Sequence, residues 1–500
     1  MRRIILCLII GTLLICELNN AISSELRSDS LLQKNSVKKS LSVYLNDTYD
    51  MVVISSQVFV DELLPLIEHK NYYGIKTNLI TVEEIYENFD GRDKPEQIKY
   101  CIKYALEEWN ISYVLLVGGL KSLLFSKPKD DCNQGMRGWY VPVRYTNMIE
   151  PLNFQIYDPG FISDLYYADI YDDEGNFSSW DSNQNNVFAE WNMRKNEEID
   201  QLDLHPDVAI GRLPCRNKNE VKTIVNKIIN YEKSSSDKTW FNRFVVAGGD
   251  PLNDILTKYV EGEILGDHII NNYMTEFEPV KLYASFQESN PCFVPEFKNI
   301  KREINKGCGF FLLDSHGAPG LTRTYWPGDF NPNNMINCLS VYNLPFLRNK
   351  EKLPICIFGG CWCCQFNVSF FGYFIPGCKY WGKPTPECIG WRIVQKPNGG
   401  GIATLGFTAL GYIRYLGENG DIDGDGILEP DYVENGWGFL ESCFFESIDQ
   451  GEEFLGNAWR SAELKYLSTF PIENKVDWQE AKDLLAWTLL GDPSLKMGGY

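Results

Sequence analysis

Histidine is scarce in this chain: His69, His205, His268 and His316 are the four among 500 residues. No two stand at the H-E-x-x-H spacing, and no second C-x-x-C pair lies at finger distance from the cysteines after residue 360, so no zinc centre is expected. Positive charge is short as well. The 47 lysines and arginines face 67 acids, leaving a formal charge of −20, which denies the chain the basic face that nucleic-acid phosphates require. Neither glycine run, Gly118-Gly119 or Asn398 to Gly401, continues into the Lys and Ser/Thr of a phosphate loop, so no nucleotide cofactor is expected. After residue 16 no stretch approaches the ~20 apolar residues of a spanning helix. Solenoid-period repeats and low-complexity tracts are missing too.

What the chain does carry is a pair of apolar runs that each stop at a reactive side chain. LLDSHGAPG places His316 after Gly309 to Leu313, and ICIFGGCWCC places Cys361 after Pro354 to Phe358. Such short runs, bounded by glycine or polar residues, fit strands buried on both faces of a parallel sheet. Loops at the carboxyl ends of such strands form the ligand crevice, where His316 and Cys361 are expected to meet. A cysteine thiol needs a nearby imidazole to take or balance its proton, so the chemistry implied is a Cys/His nucleophilic pair. Taken singly, each residue reads as structural; together at two strand ends they read as a site. Gly317 has no Cβ, so its N–H can approach a substrate carbonyl and, with the N–H of Cys361, make an oxyanion hole. Cys363 and Cys364 compete for the nucleophile's role. Cys361 is preferred because it comes first after Gly359-Gly360, whereas its two neighbours would pack or form disulfides.

Strand-like runs at Met51–Ser55, Thr77–Thr81 and Tyr113–Gly118 alternate with helical patterns near residues 58–70 and 95–109. A second series of strand-like runs follows near 244–248, 310–314, 355–360 and 402–406, and both alternations predict parallel βαβ sheets. The length favours at least two packed units. Met1-Arg2-Arg3, an apolar stretch to Cys16 and small residues around Ala21 read as a secretory signal over 1–22, followed by a short segment over 23–50. Secreted, extracellular or cell-surface placement follows, with no stable membrane span once the signal is removed. Of fifteen cysteines, setting aside Cys7, Cys16 and Cys361 leaves an even number, which permits disulfide pairing without requiring it. Asp421, Asp423 and Asp425 with Gly426 start like a calcium loop, but Tyr432 stands where a bidentate Glu belongs, so Glu429 or Asp431 would supply the missing oxygen. Asp181, Asn183 and Asn185, ending near Glu190, space oxygens in the same way. Structural calcium is expected at the first loop, while the second reads equally as a solvated turn.

The His-Gly and Gly-Gly-Cys strand ends, in that order, resemble the catalytic dyad of the gingipain family of cysteine peptidases, relatives of caspases, legumains and clostripain. PDVAIGRLPCRNKNEVKTIVNKIINYE from Pro206, LLGDPSLKM from Leu489, the segment from Met51 and ISYVLLVGG from Ile111 are similar to other parts of that family. The resemblance implies an α/β fold of caspase-like parallel sheets flanked by helices, in two related subdomains, 51–235 and 236–500, with the working residues on the second. It also implies an acid that orients His316; Asp250, after the strand-like FVVAGG, is the candidate, with Asp314 as the alternative. The function expected is a secreted endopeptidase acting on protein or peptide substrates through an acyl-enzyme, and by resemblance cleaving after Arg or Lys. No pocket acid for that preference is assigned; Glu418 and Asp421 lie in a suitable region. The alternatives are an inert binding or surface-assembly protein, and a transpeptidase that resolves the acyl-enzyme with an amine.

Overall fold

Four parallel strands make the first sheet of the computed structural model: β1 (Met51–Ser55), β2 (Thr77–Thr81), β3 (Tyr113–Val117) and β4 (Ala209–Leu213), in the order β2-β1-β3-β4. The structure describes residues 48–124, 138–149, 160–192, 199–233, 239–252, 259–374, 384–413, 420–473 and 475–500. The signal-like segment therefore lies outside the described residues. β1 and β3 are buried along their whole length, which is why their sequences are continuously apolar instead of alternating. The helix α1 (Val60–Tyr72) buries Leu63 and Leu66, and α2 (Lys94–Trp109) buries Ile98, Cys101, Ile102, Ala105 and Trp109, an amphipathic spacing that covers the sheet. The Asp93 side chain caps the start of α2 by accepting from Glu96 N, Pro95 sits in its first turn, and Asn110 ends it in the left-handed conformation at φ 59°. A third helix, α3 (Lys218–Lys233), follows β4.

The second sheet draws on β5 (Arg243–Gly248), β6 (Glu278–Tyr283) and β7 (Phe310–Asp314). The chain then leaves it for a small antiparallel sheet, β8 (His316–Ala318), β9 (Leu321–Thr324) and β10 (Ile336–Ser340). It returns as β11 (Ile355–Gly359), β12 (Ala403–Phe407) and β13 (Trp487–Leu490), giving the order β6-β5-β7-β11-β12-β13 with only β13 antiparallel. β6 escaped the sequence reading because it is an edge strand whose first residues are exposed, so EPVKLY lacks the apolar run of a central strand. The small sheet escaped it because its strands are only partly buried and so show no continuous apolar run.

Residues 49–500 form one compact unit. The closing GDPS turn is a contact point between the sheets: a Cβ on Gly211 of β4 would lie 2.5 Å from Gly491 O. Lys70 of α1 is within 2.8 Å of both Glu232 of α3 and Asp492 of that turn. A segment that looked like a family signature is therefore a buried joint.

Candidate active site

Parallel pairing of β7 with β11 runs from Phe310↔Ile355 to Asp314↔Gly359. His316 and Cys361 each come two residues after that last pair, so the register delivers both to one edge of the sheet. Glycine makes the approach possible. A Cβ on Gly360 would lie 2.9 Å from Ser315 O, and one on Gly317 would lie 2.3 Å from Cys361 O; neither loop could hold a larger residue without moving the other. Gly317 thus serves first as a contact between the two loops. After Cys361 the chain turns sharply, with Trp362 at φ 56° and its N–H bonded to Ala409 O. A left-handed non-glycine residue costs about 1–2 kcal/mol, and strain of this kind concentrates at functional turns.

Of the three candidate thiols, Cys361 is partly accessible and Cys363 and Cys364 are buried. Sγ of Cys363 lies under Gly317, and that of Cys364 under Gly390 and Gly406. All eleven described cysteines are free thiols, so the disulfides held open for Cys363 and Cys364 do not form; the small glycine-lined spaces around them leave room for a lone sulfur.

His316 is exposed by area, yet it sits in a crevice dense enough that burial lowers its pKa below 6.5. The accessible edge governs approach by substrate, while the surrounding atoms govern the proton. Burial likewise pushes the Cys361 thiol up to about 11; the backbone N–H of Gly411 and the charge of Lys482 act the other way, while Asp483 adds to the rise. Both members are therefore neutral at pH 7, which suits a thiol that loses its proton to the imidazole as it attacks. Gly411, Lys482 and Asp483 were not legible in the sequence, because they come from a loop and a helix far from either motif.

Asp250 is buried at the end of β5, and its backbone pairs with Tyr325 (Tyr325 N to Asp250 O, 3.2 Å). The Tyr325 ring meets His316 edge-on, with centroids 5.6 Å apart. Asp250 thus reaches the histidine's neighbourhood through Tyr325, and no described side chain is hydrogen-bonded to the His316 ring. Asp314 points elsewhere. The chain bends at Ser315 and His316 begins a different sheet, so the two do not share a strand face. Instead Asp314 Oδ2 accepts from Tyr432 Oη at 2.7 Å, and Tyr432 Oη accepts from Trp437 Nε1 at 2.9 Å. Asp314 Oδ1 and Glu441 Oε1 both lie within 2.8 Å of where a Gly359 Cβ would be. Burial, with Glu261 nearby, pushes Asp314 up to about 8, and burial beside Asp314 raises Glu441 well above the carboxylate range.

In the first acidic loop, the oxygens that converge belong to Asp421, Asp423 and Glu434, within 4.8 Å of one another. Glu434 takes the place expected of Glu429 or Asp431, because the short helix at Asp431–Glu434 turns its side chain back to accept from Ile422 N and Glu429 N. Asp425 bends to Ile427 N, Glu429 lies 3.3 Å from His268, and Asp431 is buried. In the second loop Asp181 accepts from the N–H groups of Asn185 and Asn186 and pairs with Arg92, Asn183 accepts from Asn185 N, and Asn185 donates to Glu190. A guanidinium already fills the cationic place there.

Comparison with known proteins agrees with this architecture. Peptidase family C25 matches residues 44–498. Gingipain R2 of Porphyromonas gingivalis is 23% identical over 340 residues, 67% of this chain and 35% of the relative, so the chain spans about a third of that protein's length. An uncharacterized protein of Archaeoglobus fulgidus is 18% identical over 372 residues, 71% of this chain and 75% of its own. The crystal structure of the Arg-specific cysteine proteinase gingipain R superposes on 90% of this chain and 78% of that one, with a TM-score of 0.56 at 16% identity. The parallel sheets, the two strand ends and a family match from residue 44 to residue 498 converge: the chain belongs to peptidase family C25, a family of cysteine peptidases.

Proposed function

We propose that this protein is a secreted cysteine endopeptidase that hydrolyses peptide bonds through an acyl-enzyme on Cys361. The observation that carries this reading is the β7–β11 register, which brings the His316 and Cys361 loops into backbone contact at one sheet edge. His316, neutral at pH 7, takes the thiol proton as sulfur attacks the carbonyl carbon, then gives it to the departing amine; water releases the acid from the thioester. The N–H groups of Gly317 and Cys361 would hold the developing oxyanion, and Asp250, whose backbone is bonded to Tyr325 beside the imidazole, is the acid proposed to orient His316. Asp421, Asp423 and Glu434 would hold a structural calcium ion. Gingipain R is an Arg-specific cysteine proteinase. For this chain, cleavage after Arg or Lys is an expectation without an assigned acid, since Glu418 lies outside the described residues and Asp421 belongs to the acidic loop.

The competing reading is a peptidase fold without turnover, in which a thiol held neutral by burial never gives up its proton. One experiment separates the two: incubation of a mixed peptide library with wild type and Cys361→Ala, with fragments identified by mass spectrometry. Cuts made by wild type and absent from the variant establish the peptidase; equal digests, or none, establish the inert reading. Iodoacetamide alkylation of Cys361 should accelerate up to about pH 11, and a plateau already reached at pH 7 would contradict the neutral pair.

A further inference from the structure

His316, Arg323 and Asn337 occupy one row across β8, β9 and β10: His316 pairs with Arg323 and Arg323 with Asn337. Cross-strand partners stand on the same face about 5 Å apart, and the alternate residues Thr322, Thr324 and Ile336 are buried on the other face. The row is thus an outward-facing extension of the crevice that starts at the imidazole. Arg323 is unusual within it. Arg144, Arg212 and Arg243 each hold a carboxylate, Asp93, Asp164 and Glu303 respectively, whereas Arg323 makes no ion pair among the described residues and its buried Nε has no hydrogen-bond partner. Its side chain lines a cavity of about 190 Å³ together with Asn337, Leu339, Ser340, Asn343 and Thr385. That volume suits one side chain or a chain end, being smaller than the ~300 Å³ at which small-molecule sites begin.

We propose that this cavity is a subsite for a carboxylate on the leaving-group side of the scissile bond, gripped by Arg323. The inference rests on the peptidase reading and adds a substrate preference to it. During acylation the histidine gives its proton to the departing amine, so the half of the peptide that leaves must cross His316, and the next side chain along the row is Arg323. A guanidinium fork matches a carboxylate with two parallel hydrogen bonds, while the side chains of Asn337, Ser340 and Asn343 bring further donors to the cavity wall. The carboxylate comes from an Asp or Glu side chain just after the cleaved bond, or from the peptide's own C-terminus.

Four quenched peptides of one sequence test this. Two carry Glu at the first or second position after the bond with an amidated end; one is neutral and amidated; one is neutral with a free carboxyl two residues after the bond. In wild type, kcat/KM for at least one carboxylate peptide should exceed the neutral amide by about tenfold or more, and which one identifies the source. Arg323→Gln should bring that ratio to near one, Arg323→Lys should leave an intermediate ratio, and Arg323→Glu should invert it in favour of the neutral amide. Equal ratios in wild type and Arg323→Gln overturn the subsite while leaving the peptidase reading standing. If no peptide is cut, the peptidase reading fails, and fluorescence anisotropy of the same peptides on Cys361→Ala decides the subsite separately. Carboxylate-dependent binding that Arg323→Gln abolishes supports it, and binding indifferent to the carboxylate ends it. Circular dichroism identifies any variant that fails to fold, in which case the Arg323→Lys ratio carries the test.

Discussion

The joint around Lys70 and the crevice around Cys361 are both rich in polar groups within one compact unit, and they treat those groups in opposite ways. At the joint Lys70 Nζ lies 2.8 Å from Glu232 Oε1 and 2.8 Å from Asp492 Oδ2, the second contact having ion-pair distance without hydrogen-bond alignment. His69 Nε2 adds a 2.7 Å contact to Glu232. Burial alone would lower the Lys70 pKa, but the two carboxylates more than offset it and hold it above 10.5. Behind the crevice the buried Asp314 Oδ1 and both oxygens of Glu441, and beside it Arg323 Nε, have no hydrogen-bond partner among the described residues, and thiol and imidazole are both neutral. Paired charges join the two sheets; behind the crevice two buried carboxyls stay unpaired by keeping their protons, and of these groups only Arg323 is open to an outside molecule.

Breaking the joint should have the largest effect on stability. Glu232→Gln leaves the Lys70 ammonium buried with one partner fewer, so denaturant unfolding should show a loss of about 3–5 kcal/mol, with kcat/KM per folded molecule unchanged; a lost activity with intact stability would reverse the contrast. The crevice should show its acids in the pH dependence. Asp314 has a folded pKa of about 8 against an ordinary 3.8, so the folded state binds more protons than the unfolded between those values, and stability falls as pH rises from about 4 to 8. Asp314→Asn should flatten that fall by at least about 1 kcal/mol between pH 5 and pH 8, measured as the difference in denaturant midpoint. An unchanged slope would mean that Glu441 or another group carries the proton. The smallest change belongs to the acidic loop, which resembles neither region. Millimolar calcium should raise Tm by about 5 °C, and Glu434→Gln should remove the rise; a rise surviving that variant would place calcium elsewhere.

The central strands, the order His316 then Cys361, and their position at strand ends were legible in the sequence. A strand buried on both faces must be continuously apolar, and a loop that two backbones share must contain glycine, so both leave local signatures. Chain composition also set the strong acidity and the scarcity of histidine. The partners that come from distant segments were not legible: Gly411, Lys482 and Asp483 around the thiol, Glu441 against Asp314, and Glu434 in place of Glu429 or Asp431. Asp314 shows why. Two residues from His316, it looked like a candidate for orienting that ring, yet the bend at Ser315 sends one residue into the six-stranded sheet and the other into the three-stranded sheet. Strand period predicts faces only while a strand continues. The sequence by itself determined which strands form and which residues end them; the tertiary structure alone decided which charges meet, because contact between segments hundreds of residues apart depends on packing and not on local pattern.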